Sequence, residues 1–145
     1  MSRNDCVQNI LADTGALVGW FDRSDSHHRK AKDFFARFKG NLLTTWPVIT
    51  EVCHLLPTHA VKRFMRWAAA GGLVVFELPG IALPQIADLM DKYRDHPMDL
   101  ADASLVWLSG QIGVTDIVTV DQAGFAAYRN AAGKPFNNLL ADTGK

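Results

Sequence analysis

Cysteine and glutamate are scarce in this chain of 145 residues, which has only two of each. Cys6 and Cys53 lie far apart and form no Cys-x-x-Cys pair, and no two histidines have the four-residue spacing of metal ligands on one helix face. The sequence therefore lacks the signature of a zinc site. Unpaired cysteines are typical of a cytoplasmic protein, so we expect both thiols to be reduced.

Long apolar runs and an excess of one charge are also missing. Runs such as residues 73–76 are far shorter than the roughly 18 residues needed to span a bilayer, and residues 1–6 contain no apolar segment of a signal peptide. Fifteen lysines and arginines balance fifteen aspartates and glutamates, so no net charge draws the chain to nucleic acid or membrane. A hydrophobic content of 48% supports one core, and we expect residues 1–145 to form a single domain.

Strand-like and helix-like segments alternate along the chain. The apolar patterns predict strands at residues 7–12, 42–45, 73–78, 117–120 and 136–140. Helical periodicity and break signals predict helices at residues 26–39, 47–56, 58–70, 83–94, 99–112 and 123–130. Ser26 is the expected N-cap of the first of these helices. This alternation predicts an α/β domain with a short, mainly parallel central sheet.

Four carboxyl groups occupy positions that suit a functional site. Asp13 follows the first strand, Asp121 follows the strand at 117–120, Asp102 lies in the first turn of the most apolar helix, and Glu51 lies inside another apolar helix. In an open parallel sheet, the carboxyl ends of strands and the N-termini of helices meet at one edge, where ligands bind. We therefore expect these side chains to lie close together.

Clustered carboxylates repel one another unless a cation neutralises them. A site rich in oxygen and poor in nitrogen and sulfur suits a hard divalent ion such as Mg²⁺ or Mn²⁺. Asp99 has the position of a helix N-cap and could also contribute to the metal site. Thr14 and Thr119, which neighbour two of the acids, could orient a water molecule or a carboxylate by hydrogen bonding.

Simple structural roles are open for the same acids. Asp13 and Asp121 could each cap the helix that follows, and Asp116 is interpreted as a turn former. Asp102 is three residues beyond Asp99, the spacing of a capping box, although Glu or Gln is more usual there. Glu51 lacks such an explanation, because an unpaired carboxylate in apolar surroundings is unfavourable.

The ordered acids resemble the signature of PIN-domain nucleases, and most closely that of the small bacterial VapC-like toxins. The similarity spans roughly residues 8–128. It is carried by LADTGALVGWF around Asp13, TWPVITEVCHLL around Glu51, MDLADASLVWL around Asp102 and IVTVDQAGF around Asp121. The resemblance implies a three-layer α/β/α fold and a metal-dependent endoribonuclease that leaves a 5′-phosphate and a 3′-hydroxyl.

The same resemblance implies the cofactor and the partners. The four acids would surround one or two Mg²⁺ or Mn²⁺ ions, with Asp13 and Asp102 as core ligands and Glu51 and Asp121 as outer ligands. The chain would be the toxin of a toxin–antitoxin pair, held inactive by a small antitoxin protein. Since related proteins commonly dimerise, a homodimer is expected.

Basic residues group on two predicted helices. His59, Lys62, Arg63 and Arg66 form one stripe on the 58–70 helix, and Arg29 and Lys30 belong to a basic stretch of the 26–39 helix. A solvated helix face is the default interpretation. A ribonuclease needs local positive charge to hold phosphates, so Arg63 and Arg66 are the first RNA-binding candidates and Arg29 and Lys30 the second. Trp20 and Trp46 are the tryptophans that could be exposed for base stacking or for a partner.

Other classes of protein fit less well. A PIN-like module that binds RNA or protein without catalysis is the main alternative, and the presence of all four acids argues against it. An aspartate-nucleophile phosphatase would need a second Asp two residues after Asp13, where this chain has Gly15. A receiver domain would need an acid at position 12, which is Ala12.

Overall fold

Five parallel strands form a single sheet in the computed structural model, which describes residues 7–140. They are β1 (Gln8–Ala12), β2 (Gly40–Thr45), β3 (Val74–Phe76), β4 (Asp116–Val118) and β5 (Asn137–Asn138). Their order across the sheet is β3-β2-β1-β4-β5, and every neighbouring pair is parallel. The predicted α/β class and parallel sheet are confirmed. Cys6 lies outside the described residues.

Seven α-helices connect and cover these strands. They are α1 (Thr14–Phe21), α2 (His28–Arg37), α3 (Trp46–Leu55), α4 (Thr58–Trp67), α5 (Leu83–Lys92), α6 (Leu100–Ile112) and α7 (Gln122–Ala127). Proline occupies the first turn of α3 and of α5, where its missing N–H leaves no helical bond unmade. Gly113, at a φ of 74°, ends α6 in the left-handed conformation that favours glycine. No helix within residues 7–140 has the length and apolar character to cross a membrane.

The sheet is covered on both faces. Successive residues of a strand point to opposite faces, yet Ile10, Leu11 and Ala12 of β1 are all fully buried. The strand order explains this, because the chain first builds from β1 outward through β2 to β3 and then returns to the other side of β1. Right-handed crossovers place the connecting helices on opposite faces before and after such a return. The resulting three layers agree with the expected α/β/α arrangement.

Several predicted boundaries were wrong, and three of them are instructive. Ser26 does not cap α2, because Asp22 and Asp25 direct their carboxylates to nearby backbone N–H groups and form turns that delay the helix to His28. The strand predicted at 73–78 is limited to β3. The strand predicted at 136–140 contains only the two residues of β5, because the Asn138 side chain pairs with the backbone of Thr119 beyond β4.

Candidate active site at the carboxyl edge of the sheet

Asp13 lies where strand β1 passes into helix α1. Its backbone N–H continues the sheet by donating to the Val118 carbonyl at 3.1 Å, and its side chain caps the helix by accepting from the Thr14 N–H at 2.8 Å. The second carboxyl oxygen accepts from the Thr119 hydroxyl at 2.7 Å. The residue is only 4% exposed. Its position is therefore fixed by two strands, β1 and β4, at the point where the strand order reverses.

Asp121 reaches the same edge from strand β4. Its backbone N–H donates to the Thr119 hydroxyl at 3.0 Å, and its carboxylate caps α7 by accepting from the Gly124 N–H at 3.0 Å. Thr119 thus touches both acids, since the same hydroxyl donates to Asp13. A Cβ added at Gly15 would lie 2.4 Å from the Val120 side chain, so the glycine permits the close approach of this loop.

Asp99 and Asp102 form the start of helix α6. Asp99 accepts from the Asp102 N–H at 2.9 Å, and Asp102 accepts in return from the Asp99 N–H at 3.3 Å, which makes a capping box. The expected cap role of Asp99 is correct, and Asp102 takes the partner position despite being an aspartate. The Tyr128 hydroxyl donates to the His96 carbonyl at 2.9 Å and so secures the segment that leads into this box.

Glu51 enters the site from helix α3. The Thr14 hydroxyl donates to its carboxylate at 2.6 Å, which ties the middle of α3 to the first turn of α1. Burial raises the pKa of Glu51, and the nearby carboxyl groups of Asp99 and Asp13 raise it further. The glutamate is therefore held among other acids as well as among the apolar residues that its sequence context predicts.

Mutual repulsion and burial raise the pKa of the most enclosed acids. Burial raises the pKa of Asp13 to about 6, opposed by the hydrogen bond from Thr119 and reinforced by Asp121 and Asp99. Burial also raises the pKa of Asp102 to about 8, with Asp13 and Asp99 adding repulsion. Each carboxyl thus senses the charge of its neighbours, as expected for acids that share one site.

The chemistry of these donors fits a divalent cation. All five acidic side chains offer oxygen, and a cation between them would offset both the burial and the repulsion that raise the pKa values of Asp13 and Asp102. Several of their oxygens are engaged with helix N-termini and threonine hydroxyls. Within residues 7–140, no three acidic, histidine or cysteine side chains form a closed ligand group as they stand.

The predicted RNA-binding residues lie at the other end of α1. The Arg63 guanidinium donates to the Phe21 carbonyl at 3.0 Å and lies over the Phe21 ring, 5.9 Å from its centre. Arg66 is exposed on α4, the helix that also carries Arg63. Arg29 and Lys30 lie in the first turn of α2, which begins beside this end of α1. Arg63 and the start of α2 therefore lie at the opposite end of α1 from Asp13.

Two contributors to the site were not recognised in the sequence. Asn138 accepts from the Thr119 N–H at 3.2 Å and donates to its carbonyl at 3.1 Å, so its side chain holds Thr119 as a neighbouring strand would. Tyr128 is fully buried, and the phenol positions the start of α6. The asparagine pair at 137–138, inside a predicted strand, was the available signal, because asparagine is depleted in strands.

Comparison with known proteins identifies the class. A family model described as the PIN domain matches residues 10–130, and the chain belongs to this family. Within it, the chain is similar to VapC proteins. It is 26% identical to Ribonuclease VapC26 of Mycobacterium tuberculosis over 131 residues, covering 88% of this chain and 97% of that protein. The crystal structure of VapC20 from the same organism, a sarcin-ricin loop cleaving toxin, matches with a TM-score of 0.67 at 19% identity, covering 77% of this chain and 89% of that chain.

Proposed function

We propose that this PIN-domain protein is an endoribonuclease that uses a divalent metal to hydrolyse RNA phosphodiester bonds at the acidic edge of its sheet. The observation that carries the proposal is the convergence of Asp13, Glu51, Asp102 and Asp121 from four separate elements, with raised pKa values at three of them. Similarity to a ribonuclease over 88% of the chain supports the same activity.

Asp13 and Asp102 would be the core ligands of Mg²⁺ or Mn²⁺, with Glu51 and Asp121 as outer ligands and Asp99 beside them. When bound, such an ion supplies positive charge that neutralises the phosphodiester, lowers the pKa of a bound water and steadies the leaving oxygen. Binding would require the carboxylates to be ionised. The raised pKa values of Asp13 and Asp102 therefore predict weaker metal binding at low pH.

The side chains of the protein would then orient the reactants and move the proton. Thr119 fixes one oxygen of Asp13 and the backbone of Asp121, and Thr14 fixes Glu51. One of the carboxylates would accept a proton as water attacks the phosphorus, a role that suits a group whose pKa lies nearer neutrality. Breaking the bond from phosphorus to the 3′-oxygen would leave a 5′-phosphate and, after protonation, a 3′-hydroxyl.

The biological setting follows from similarity to the VapC proteins. We propose a toxin of a toxin–antitoxin pair that acts in the cytoplasm, as a homodimer of single-domain chains, and is restrained by a small antitoxin protein. Arg63, Arg66, Arg29 and Lys30 remain the candidate contacts to RNA phosphates, now as a surface separate from the acids.

Cleavage of a mixed RNA panel with Mn²⁺, Mg²⁺ or EDTA tests the proposal. We expect cleavage with the metals and none with EDTA, and a loss of at least about a hundredfold in Asp102→Asn, because the ligand charge is removed while the shape is kept. Asp33→Asn makes the same chemical change on the exposed face of α2 and should leave cleavage intact.

Two results would contradict this function. Metal-independent cleavage that persists in Asp102→Asn would place the activity elsewhere or in a contaminant. If the folded protein cuts none of the RNAs and calorimetry detects no metal binding, the chain is a PIN-like binding module instead.

A further inference from the structure

A cavity of about 660 Å³ opens directly beside the acidic edge. Glu51 and Asp99 line one side of it and therefore belong both to the cavity and to the candidate active site. Trp46, Leu78 and Leu100 give it an apolar wall, and Glu77 lies at its margin. A substrate bound at the acids would thus place its neighbouring chemical groups in this space.

Trp46 differs from Trp20 and Trp67 in what its indole contacts. Trp20 stacks on Phe35 with ring centres 4.3 Å apart and meets Trp67 edge-on, so both belong to the aromatic core. Trp46 is instead 48% exposed. Its indole N–H donates to the Glu77 carboxylate at 3.0 Å, which fixes the orientation of the ring. The first turn of α3 anchors the residue directly after β2.

The lining chemistry disfavours anions and suits a flat ligand with N–H donors. Among the described residues that line the cavity there is no lysine or arginine, whereas Glu51, Glu77 and Asp99 carry carboxyl groups. Phosphates and acidic peptides would be repelled. A nucleobase is aromatic and uncharged, and bases unstacked in RNA loops commonly stack on exposed aromatic side chains. The Glu77 carboxylate has accepting capacity beyond the indole N–H, since a carboxylate offers about four lone-pair sites.

We propose that this cavity holds one unpaired nucleobase of the RNA, next to the phosphate to be cut, stacked on Trp46 with its N–H edge towards Glu77. The proposal rests on the ribonuclease function proposed above and adds a specificity-determining residue to it. Guanine presents two adjacent donors, N1–H and the 2-amino group, to a single carboxylate. The subsite should therefore select guanine over adenine and uracil.

Binding of single-stranded RNA in EDTA tests the subsite without requiring cleavage. The probes are a short labelled oligouridine, the same strand with one central guanine, and the same strand with an abasic residue at that position. Fluorescence anisotropy should show wild-type protein binding the guanine strand roughly ten- to a hundredfold more tightly than the abasic strand, the range of one stacked base. Trp46→Ala should abolish this difference, and Trp46→Phe should keep most of it.

Two further variants control for indole loss and for base selection. Trp107→Phe also removes an indole that donates to a side chain, Gln85 at 3.1 Å, but at a cavity on another surface, and it should bind as wild type does. Glu77→Gln should retain stacking but lose the preference for guanine over adenine.

The outcomes separate this inference from the proposed function. Equal binding of the guanine and abasic strands by wild-type protein, or a base preference unchanged in Trp46→Ala, would overturn the subsite even if metal-dependent cleavage is observed. A base preference that depends on Trp46, in a protein that cuts no RNA, would support the subsite and refute the nuclease.

Discussion

The two ends of helix α1 differ in what their charged residues do. At the N-terminal end, Asp13 caps the helix, and its pKa is raised by burial and by repulsion from Asp121 and Asp99. At the C-terminal end, Arg63 donates to the Phe21 carbonyl. An eight-residue helix separates the two ends by about 12 Å. The carboxyl groups at one end thus face one another, whereas the guanidinium at the other end faces a backbone carbonyl.

The helix dipole suits both arrangements, because anions are stabilised at a helix N-terminus and cations at a C-terminus. The energetic consequences differ, however. Like charges crowded at the N-terminal end oppose folding unless a cation is present, whereas the Arg63 guanidinium at the C-terminal end completes backbone hydrogen bonding. Arg63 therefore contributes to the fold, whereas the crowding of the acids costs stability in the metal-free protein.

Thr119→Val is expected to have the largest effect among changes that leave every charge in place. It removes the hydroxyl that positions Asp13 and Asp121, and loss of such a partner typically lowers activity about 10- to 100-fold. In the wild-type protein, the hydrogen bond from Thr119 lowers the pKa of Asp13. Its removal should raise that pKa and move the acid limb of the pH profile of kcat/KM to higher pH.

Thr115→Val is the matched control, since it makes the same change just before β4 begins, at the opposite end of that strand. An altered kcat/KM with an unmoved pH profile would contradict a positioning role for Thr119 and indicate general loss of structure.

The metal-free protein should lose stability as pH rises from about 4 to about 8. The pKa of Asp13 is raised to about 6 and that of Asp102 to about 8 from an ordinary value of 3.8, so the folded state prefers both protonated. The contribution of these two groups to the free energy of unfolding is fully present below about pH 4 and is lost as each group ionises. Denaturant unfolding in EDTA at several pH values measures this loss, and Mg²⁺ or Mn²⁺ should reverse it.

Asp102→Asn tests how strongly the ionisation of this one acid opposes folding. Without the charge, the metal-free variant should be about 1 kcal/mol more stable than wild type at pH 8 and equal to it at pH 4. A variant destabilised equally at both pH values would show that the capping hydrogen bond outweighs the repulsion.

Arg63→Ala is expected to have the smallest effect. Loss of the contact to the Phe21 carbonyl should lower the free energy of unfolding by about 0.5 kcal/mol, measured by denaturant titration. Arg66→Ala, on the exposed side of the same helix, should change it much less. A different result would contradict the structural role of Arg63. If both variants are as stable as wild type but bind RNA more weakly and with a shallower salt dependence, this end of α1 contacts phosphates.

The placement of the acids was predictable because strand ends and helix starts follow local rules. Asp13 and Asp121 each follow an apolar strand, and Asp99 precedes an apolar helix, so the shared edge of the sheet follows from parallel pairing. The α/β class was predictable as well, because the alternation of strands and helices is also read from local patterns in the sequence. A cap role does not remove an aspartate from this edge, because Asp13 and Asp121 each cap a helix and are still close enough to repel each other.

Contacts between distant residues were not predictable. Thr119 and Asp13 are 106 positions apart, and Arg63 and Phe21 are 42 apart, so no local pattern joins them. The side chain of Asn138 pairs with the backbone of Thr119 as a neighbouring strand would, although asparagine is depleted in strands. The hydrogen bond that orients the Trp46 indole also involves a long-range partner, Glu77, 31 positions away.

Because Asp13, Asp99 and Asp121 each cap a helix, alanine and asparagine at these positions should differ in their effect on stability. Alanine at any of them removes a cap worth about 1 kcal/mol in addition to a charge, whereas asparagine caps nearly as well as aspartate. A genetic selection for harmless variants would therefore yield two groups. Alanine variants would be scarce in the cell because they are degraded, and asparagine variants would accumulate as inert but intact protein.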